Sequence, residues 1–336
     1  MVKVSNIQFL RFAAAMMVVT SHIASHLPLL TGQQETKFWE QISVAGSYGV
    51  DIFFVISGYV IADSYKNQTR SPSLFLKLRF FRIYPLYAAV TTLFFLLHLI
   101  IPSMMNSSNE SIKLFIGSLT FTSSIFGFSY PILPQGWTLE IEVFFYLIFV
   151  VSIILCSRFK LFSGKEGLLS IVFILSAVFF GATDLMIEFI FGLLISMYSS
   201  RARKFRFILL ASVCITIFVV IYLAIDVTSF RFFWIGLPCA LLVYLAIATP
   251  QLTKKSVNFL GDISYSIYLV HGMLIAVSLR LFTSINEHSI PIFFGFIFTT
   301  VVVISGCTYL LFEKPIISYS KNRWGASVNA KNWKGN

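Results

Sequence analysis

The chain has 336 residues, of which 57% are hydrophobic and only 12% are charged, and its formal net charge is +11. A soluble domain carries about a quarter charged residues, so this composition excludes a soluble globular protein and indicates an integral membrane protein. The basic residues stand in short clusters between apolar runs, which argues against the continuous basic surface of a nucleic-acid-binding protein.

Ten apolar runs reach or approach the length of a membrane-spanning helix. They cover about 7–28, 44–63, 82–102, 138–157, 166–182, 184–199, 206–225, 231–248, 262–282 and 291–312. We therefore expect an all-α, polytopic membrane protein with about ten transmembrane helices. The fifth and sixth runs are short, so a helical hairpin and a re-entrant pair both fit them. The connection 103–137 contains an apolar stretch that can dip into the membrane without crossing it.

Lysine and arginine alternate between the two sides of these runs. One set of connections holds Lys66, Arg70, Lys77, Arg79, Arg158, Lys160, Lys165, Arg201, Arg203, Lys204, Arg206, Lys254, Lys255 and the basic residues from Lys314 to Lys334. The opposite set holds little beyond Lys37, Lys113 and Arg231. Because basic loops remain in the cytoplasm, we expect both termini there. Residues 1–313 then form a single transmembrane domain, and 314–336 form a short basic cytoplasmic tail.

The first apolar run contains two ionisable residues, Arg11 and His22, eleven positions apart. Eleven residues make about three helical turns, so the two side chains share a face and lie roughly 16 Å apart along the axis. Ionisable residues are costly in lipid, and a pair on one face favours a functional site. Snorkelling by Arg11 and helix–helix hydrogen bonding by His22 are the structural alternatives. A histidine is also a natural general base near neutral pH.

The second predicted helix places Asp51 near its outer end, in the stretch GVDIFFVISG. Gly49 and Gly58 predict close contact with neighbouring helices. Because His22 also lies near the outer end of its helix, an Asp–His pair is geometrically possible. A partly solvated carboxylate at the membrane interface is the alternative interpretation.

The third predicted helix begins with the basic, aromatic stretch KLRFFRIYPLY. Arg79 and Arg82 are one turn apart and share a face, with aromatic residues, among them Tyr84, beside them. Guanidinium groups bind phosphates, and aromatic rings bind a flat base. Anchoring of a cytoplasmic helix end also explains part of this cluster.

Two acidic residues, Glu140 and Glu142, open the next predicted helix after Trp137. Residues two positions apart cannot share a helix face, so we expect at most one to point into the protein interior and the other to face the outer water. Trp137 also fits an interfacial aromatic belt. Spacing alone does not choose between the two acids.

The ninth predicted helix carries the stretch GDISYSIYLVHG, with His271 at mid-membrane and Ser264, Tyr265 and Tyr268 one to two turns earlier. A single histidine within a membrane helix is more commonly a packing and hydrogen-bonding residue than a catalyst. The four cysteines, Cys156, Cys214, Cys239 and Cys307, stand alone, so we expect no disulfide framework and no metal site.

These stretches together resemble the bacterial membrane-bound acyltransferase family 3, in its stand-alone form without an esterase-like domain. The resemblance rests on six elements in order: Arg11 with His22, Gly49 to Gly58, Arg79 to Pro85, Trp137 to Glu142, Ser264 to His271, and Phe312 to Pro315. The fourth element selects Glu142 over Glu140. The elements extend over nearly the whole chain.

The resemblance implies an inner-membrane O-acyltransferase that moves an acyl group, by default acetyl, from acyl-CoA to a hydroxyl of a cell-envelope or exported glycan. Acyl-CoA would be a donor substrate rather than a resident cofactor, and the acceptor a glycan or lipid-linked saccharide. The catalytic residues implied are His22, Arg11, Asp51 and Glu142. Arg79, Arg82 and Tyr84 would bind the donor, and Trp137, Tyr265 and His271 the acceptor.

Two mechanisms fit this assignment. In one, His22 removes the hydroxyl proton while Asp51 or Glu142 orients it. In the other, His22 is a nucleophile that carries the acyl group between separated sites. A secondary transporter and a non-catalytic membrane partner in polysaccharide assembly are the alternative classes. Neither requires a phosphate-suited arginine pair together with so many intramembrane ionisable groups.

Overall fold

The computed structural model describes residues 4–34, 36–67, 71–100, 112–159, 164–180, 184–198 and 231–325. All regular structure in these ranges is helical, which confirms the all-α prediction. Nine of the ten predicted runs coincide with helices, and the seventh, 206–225, lies outside the described residues.

The helices, in chain order, are α1 Ser5–Thr31, α2 Lys37–Ser47, α3 Gly49–Asn67, α4 Pro72–Ile100, α5 Ile112–Leu119, α6 Trp137–Arg158, α7 Lys165–Phe180, α8 Asp184–Tyr198, α9 Leu237–Ala248, α10 Lys255–Ser284, α11 Ile290–Thr308 and α12 Lys314–Ser320. In the described part of the chain, six continuous helical stretches are long and apolar enough to cross a membrane: Ser5–Thr31, Lys37–Tyr65, Pro72–Ile100, Pro134–Arg158, Lys255–Ser284 and Ile290–Trp324. The chain is therefore a multi-pass membrane protein.

The sequence leaves open whether three short helices, α5, α7 and α8, cross the membrane, and their lengths bear on this question. The structure describes α7 over 16 residues and α8 over 15 residues. Each rises about 24 Å or less, against a hydrocarbon core of about 30 Å. The eight residues of α5 are far too few to span it. At the other end of the chain, helical backbone continues past residue 313 to Gly325, so the predicted tail begins as helix.

The chain forms two compact units, which are described separately. The first comprises Met1–Val18, Val44–Pro72 and Phe144–Asp262, and the second Val19–Ser43, Ser73–Val143 and Ile263–Asn336.

Within the first unit, α3 packs closely against α8. A side chain at Gly58 would meet the carbonyl oxygen of Phe189, and one at Gly192 would meet that of Val55. Gly49 lies in the same way against the carbonyl oxygen of Ala14 in α1. The prediction that Gly49 and Gly58 permit close helix contact is therefore confirmed.

A buried, hydrogen-bonded asparagine and an apolar cluster also hold the first unit together. Asn6 is fully buried and donates from Nδ2 to the carbonyl oxygens of Ala246 (3.1 Å) and Pro250 (3.1 Å). These bonds tie the start of α1 to the end of α9. The apolar cluster around them includes Ile7, Leu10, Ala14, Tyr48, Ile52, Val55, Ile56, Ile235, Val243 and Ala246.

Within the second unit, the segment after α5 packs on α4 through aromatic rings. Tyr87 stacks on Phe121 with ring centroids 4.8 Å apart, and its hydroxyl donates to the carbonyl oxygen of Ser118 at 3.1 Å. Phe95 stacks on Phe115 at 4.4 Å. Part of α10 belongs to the same unit and carries the polar side chains described next.

Candidate active site

Two histidine rings lie against each other in the second unit. The ring centroids of His22, on α1, and His271, on α10, are 5.1 Å apart, with an angle of 37° between the ring planes. His271 is 1% exposed, and His22 is half-buried. The sequence singled out both residues, but it did not predict that they meet.

Two tyrosines precede His271 on α10, and the hydroxyl of each forms hydrogen bonds to a neighbouring helix or to the residues before it. The Tyr268 hydroxyl lies 2.7 Å from Thr138 Oγ1 and donates to the carbonyl oxygen of Gln135 at 3.1 Å. One turn earlier, the Tyr265 hydroxyl donates to the carbonyl oxygen of Ile83 at 2.6 Å. These bonds fix α10 against α4 and the start of α6. Tyr265 and Tyr268 thus lie on the same side of α10, one turn apart.

Opposite charges act on the buried Tyr265 hydroxyl. The carboxylate of Glu142 and the guanidinium of Arg82 both lie within electrostatic range of it, and Glu142 also acts on Tyr268. Glu142 and Arg82 are themselves half-buried. The structure therefore gathers Glu142, Arg82 and Tyr265, which the sequence named independently, into one neighbourhood of the second unit.

The basic stretch at the start of α4 is lined with aromatic rings, as predicted. The Arg79 guanidinium lies 5.4 Å from the ring centroid of Phe75, and Tyr84 stacks on Phe80 at 4.6 Å. Phe80 remains 48% exposed. Half-buried guanidinium groups near a partly exposed aromatic ring are suited to a ligand that combines phosphates with a flat base.

The two glutamates of α6 occupy different surroundings. Glu140 is 4% exposed and accepts hydrogen bonds from the backbone N–H of Ser123 (3.1 Å) and the Ser124 hydroxyl (3.4 Å), as well as from the Ser123 hydroxyl. Glu140 is therefore the glutamate that points into the interior, and Glu142 is half-buried. Hydrogen bonds from the two serines offset the free-energy cost of burying the Glu140 carboxylate. Trp137, at the first turn of α6, is half-buried.

Asp51 belongs to the first unit and lies in an ion pair. Its side chain is fully buried, and it accepts bonds from Arg231 Nε (3.0 Å) and Nη2 (2.7 Å). The interpretation of Asp51 as a partly solvated interfacial carboxylate is therefore wrong. Arg231 also lies 5.2 Å from the ring centroid of Tyr48 and in electrostatic range of the buried Glu188.

The sequence analysis did not assign a role to three ionisable residues inside the protein: Arg231, which is half-buried, and Glu188 and Glu313, which are buried. Arg231 appeared only in the count of loop charges, and Glu188 was not considered. An acid within the apolar run of α8 was a detectable signal for Glu188. Glu313, seen only as part of a terminal motif, is 4% exposed and accepts a bond from Ser266 at 2.8 Å.

The remaining predicted residue, Arg11, is half-buried in the first unit, with Nη1 3.5 Å from Gln8 Oε1. Helix α1 is continuous, so Arg11 and His22 lie on one helix as predicted. No group of three His, Cys, Asp or Glu side chains in the described ranges is arranged to hold a metal ion.

The comparison with protein families identifies the family of this chain. An acyltransferase domain model matches residues 4–310. The chain belongs to the acyltransferase 3 family. It is therefore an enzyme that transfers acyl groups, as the motifs predicted.

Named relatives agree with this membership. The chain is 25% identical over 294 residues to the exopolysaccharide production protein ExoZ of Rhizobium meliloti (strain 1021), covering 83% of this chain and 92% of that protein. It is 31% identical over 155 residues to the acyltransferase MdmB of Streptomyces mycarofaciens, covering 44% of this chain and 38% of MdmB. It is 30% identical over 173 residues to nodulation protein 10 of Rhizobium leguminosarum bv. viciae, covering 46% of each. No solved structure matches the chain.

Proposed function

We propose that this acyltransferase moves an acetyl group from acetyl-CoA to a hydroxyl of a cell-envelope or exported glycan, within the bacterial inner membrane. The observation that carries the proposal is the His22–His271 pair at 5.1 Å, in the same unit as the arginine and tyrosine side chains. The similarity to a protein named for exopolysaccharide production, over nearly its full length, supports a glycan acceptor.

The donor in this proposal is bound by Arg79, Arg82 and Tyr84. Its phosphates pair with the two guanidinium groups, and its adenine lies on the aromatic surface formed by Tyr84 with Phe80. Trp137 and Tyr265 contact the acceptor sugar, whose ring presents apolar faces and hydroxyl edges.

His22 is the general base of the proposed reaction. The acceptor oxygen attacks the thioester carbonyl carbon as its proton passes to His22, and a carbon–oxygen bond forms. The carbon–sulfur bond then breaks, and the leaving thiolate takes the proton back from His22. Glu142 adds negative charge near Tyr265 and Tyr268. Because both oxygens of Asp51 bond to Arg231, we assign Asp51 to holding the first unit together.

The test compares His22→Ala with His26→Ala in cells that lack the native protein. His26 is a matched control because it lies one turn later on α1, with Nδ1 2.7 Å from the carbonyl oxygen of His22. We expect wild type and His26→Ala to restore the O-acetyl signal of purified surface glycan in proton NMR, and His22→Ala to leave it absent at equal membrane abundance. An equal signal from His22→Ala would overturn the mechanism.

A second measurement separates direct transfer from the acyl-histidine relay. The purified protein is incubated with radiolabelled acetyl-CoA alone, quenched, and digested for peptide mass spectrometry. Direct transfer predicts saturable binding and no acetylated His22. An acetyl group on His22 that chases into glycan would establish the relay instead.

A further inference from the structure

The ring of His271 presents one hydrogen-bonded and one open nitrogen. Its Nδ1 lies 3.1 Å from the carbonyl oxygen of Ile267, one turn earlier on α10. A carbonyl oxygen can only accept, so Nδ1 carries the hydrogen, and in the neutral ring Nε2 carries the lone pair. Nε2 is buried and accepts no hydrogen bond from any described residue. A buried acceptor in this state is costly unless a donor reaches it.

The His22 ring is the group positioned to supply that donor. With the ring centroids 5.1 Å apart, a rotation of the His22 ring that points one of its nitrogens at Nε2 of His271 can bring the two nitrogens to about 3 Å, the length of a hydrogen bond. Among the described residues, no side chain forms a hydrogen bond or an ion pair with the His22 ring. In the part of the chain that the structure describes, His22 thus has no carboxylate partner of the kind that orients the base in a catalytic triad.

The surroundings of His271 hold its ring in place. The Tyr268 ring lies 5.9 Å away, and the Tyr268 hydroxyl is fixed by Thr138 and Gln135. Gln135 in turn donates from Nε2 to the carbonyl oxygen of Leu269 at 2.8 Å. The helix turn that precedes His271 is thus tied to the start of α6. A lone pair held in this way is preorganised to accept a bond.

We propose that Nε2 of His271 accepts a hydrogen bond from the ring N–H of His22 and so positions His22 as the base of the acyl transfer. The proposal rests on the proposed function. His271 is a positioning residue, and it neither gains nor loses a proton. Its Nδ1–H remains on the carbonyl oxygen of Ile267 throughout.

The chemistry of His22 follows from this arrangement. Donation to His271 fixes the hydrogen on one nitrogen of His22, which leaves the lone pair of the other for the acceptor hydroxyl. When that nitrogen takes the hydroxyl proton, His22 becomes an imidazolium, and its N–H bond to His271 strengthens because the donor is now charged. A neutral imidazole then does for His22 what a carboxylate does in a catalytic triad.

Three substitutions separate the two nitrogens of His271. His271→Asn places an amide near Nδ1 and keeps a donor for Ile267, but it removes Nε2. His271→Gln places an amide oxygen near Nε2 and restores the acceptor, and His271→Phe keeps the ring shape without either nitrogen. We expect about a 10²-fold loss of transfer for Asn and Phe, and a loss of about tenfold or less for Gln. A Phe variant as active as wild type, or a folded Gln variant as inactive as Phe, would overturn the proposal.

A second readout does not depend on catalysis. Diethyl pyrocarbonate modifies the unprotonated nitrogen of a neutral imidazole, and peptide mass spectrometry gives the rate at each histidine of the purified protein. We expect His22 to react several-fold more slowly in His271→Phe than in wild type and to recover in His271→Gln, while His26 reacts equally in all. Equal rates at His22 would contradict the contact.

The two readouts also separate this proposal from the proposed function. If wild type transfers no acetyl group from acetyl-CoA to glycan, the proposed function fails. The modification rates of His22 then still decide whether His271 positions it.

Discussion

At the scale of single residues, three of the buried carboxylates are distinguished by their partners. Asp51 pairs with Arg231, Glu140 with two serines, and Glu313 with Ser266. A buried charge is tolerated only when it is paired and hydrogen-bonded, so these partners explain why the three acids can be buried. Glu142 differs, because it is half-buried and lies within electrostatic range of Tyr265 and Tyr268.

Substitution of Glu140 should therefore lower stability, whereas substitution of Glu142 should lower acyl transfer. Glu140→Ala leaves the Ser123 N–H buried without its acceptor, and we expect it to lower the free energy of unfolding by about 1–3 kcal/mol. Glu142→Ala should keep the wild-type melting temperature and lose about 10²-fold or more in transfer. Thermal melting in detergent and the acetyl-transfer assay measure the two effects. The reverse pattern would contradict the assignment of Glu142 over Glu140.

Arg231→Ala should destabilise the first unit. It leaves Asp51 and Glu188, both fully buried, without their cation. Breaking a buried ion pair costs about 3–5 kcal/mol, and we expect the lower end because the Arg231 side chain is 36% exposed. Arg323→Ala removes an exposed arginine and should change the free energy of unfolding by less than about 0.5 kcal/mol. Equal melting temperatures for the two variants would contradict a structural role for the pair.

At the scale of elements, glycines set the distance between two helices of the first unit, α3 and α8. Gly58 of α3 and Gly192 of α8 each lie against backbone of the other helix. Backbone cannot rotate away as a side chain can, so an added methyl group must push the helices apart. Small residues at a helix crossing are a common device in membranes, where close packing replaces the hydrophobic effect between helices.

Gly58→Ala should therefore reduce the amount of folded protein. The added Cβ meets the carbonyl oxygen of Phe189, and overpacking of this kind costs about 1–3 kcal/mol. Gly295→Ala is the matched control, because Gly295 lies on α11 with open space where a Cβ would stand. Monodisperse protein recovered by size-exclusion chromatography in detergent gives the comparison. Equal yields from both variants would show that α3 and α8 do not pack as described.

At the scale of the whole molecule, the distribution of charge sets the orientation in the membrane. Basic residues alternate between connections at each predicted crossing, and the structure places helices where nine of these crossings were expected. Positive charge holds a loop in the cytoplasm through the mechanism of insertion, so the pattern is a property of the chain and not of its packing. The cytoplasmic position of both termini remains a prediction.

Reporter fusions test this orientation. Alkaline phosphatase fused after Gln34, beyond α1, should be active, and the same enzyme fused after Phe159, beyond α6, should be inactive. A fluorescent protein fused after the last residue should be bright, since it folds in the cytoplasm. Active phosphatase after Phe159 would reverse the orientation of the central helices.

Helix positions could be predicted from the sequence because hydrophobic runs are local. A helix satisfies its own backbone within one segment, and lipid requires about 20 apolar residues, so length and composition suffice to locate it. His22 and His271 could also be singled out as candidates, since ionisable residues in an apolar run are rare without a use, whereas only the family motif selected Glu142. The order of the motifs then indicated the acyltransferase 3 family.

The partner of each polar side chain was decided by the tertiary structure alone. His22 and His271 lie near opposite ends of the chain, and Asp51 and Arg231 are separated by 180 positions. No local pattern encodes which helix faces meet, because many faces of similar apolarity can pack together. The packing of the helices therefore pairs Asp51 with an arginine and Glu140 with two serines, and it brings His22 into contact with a second histidine.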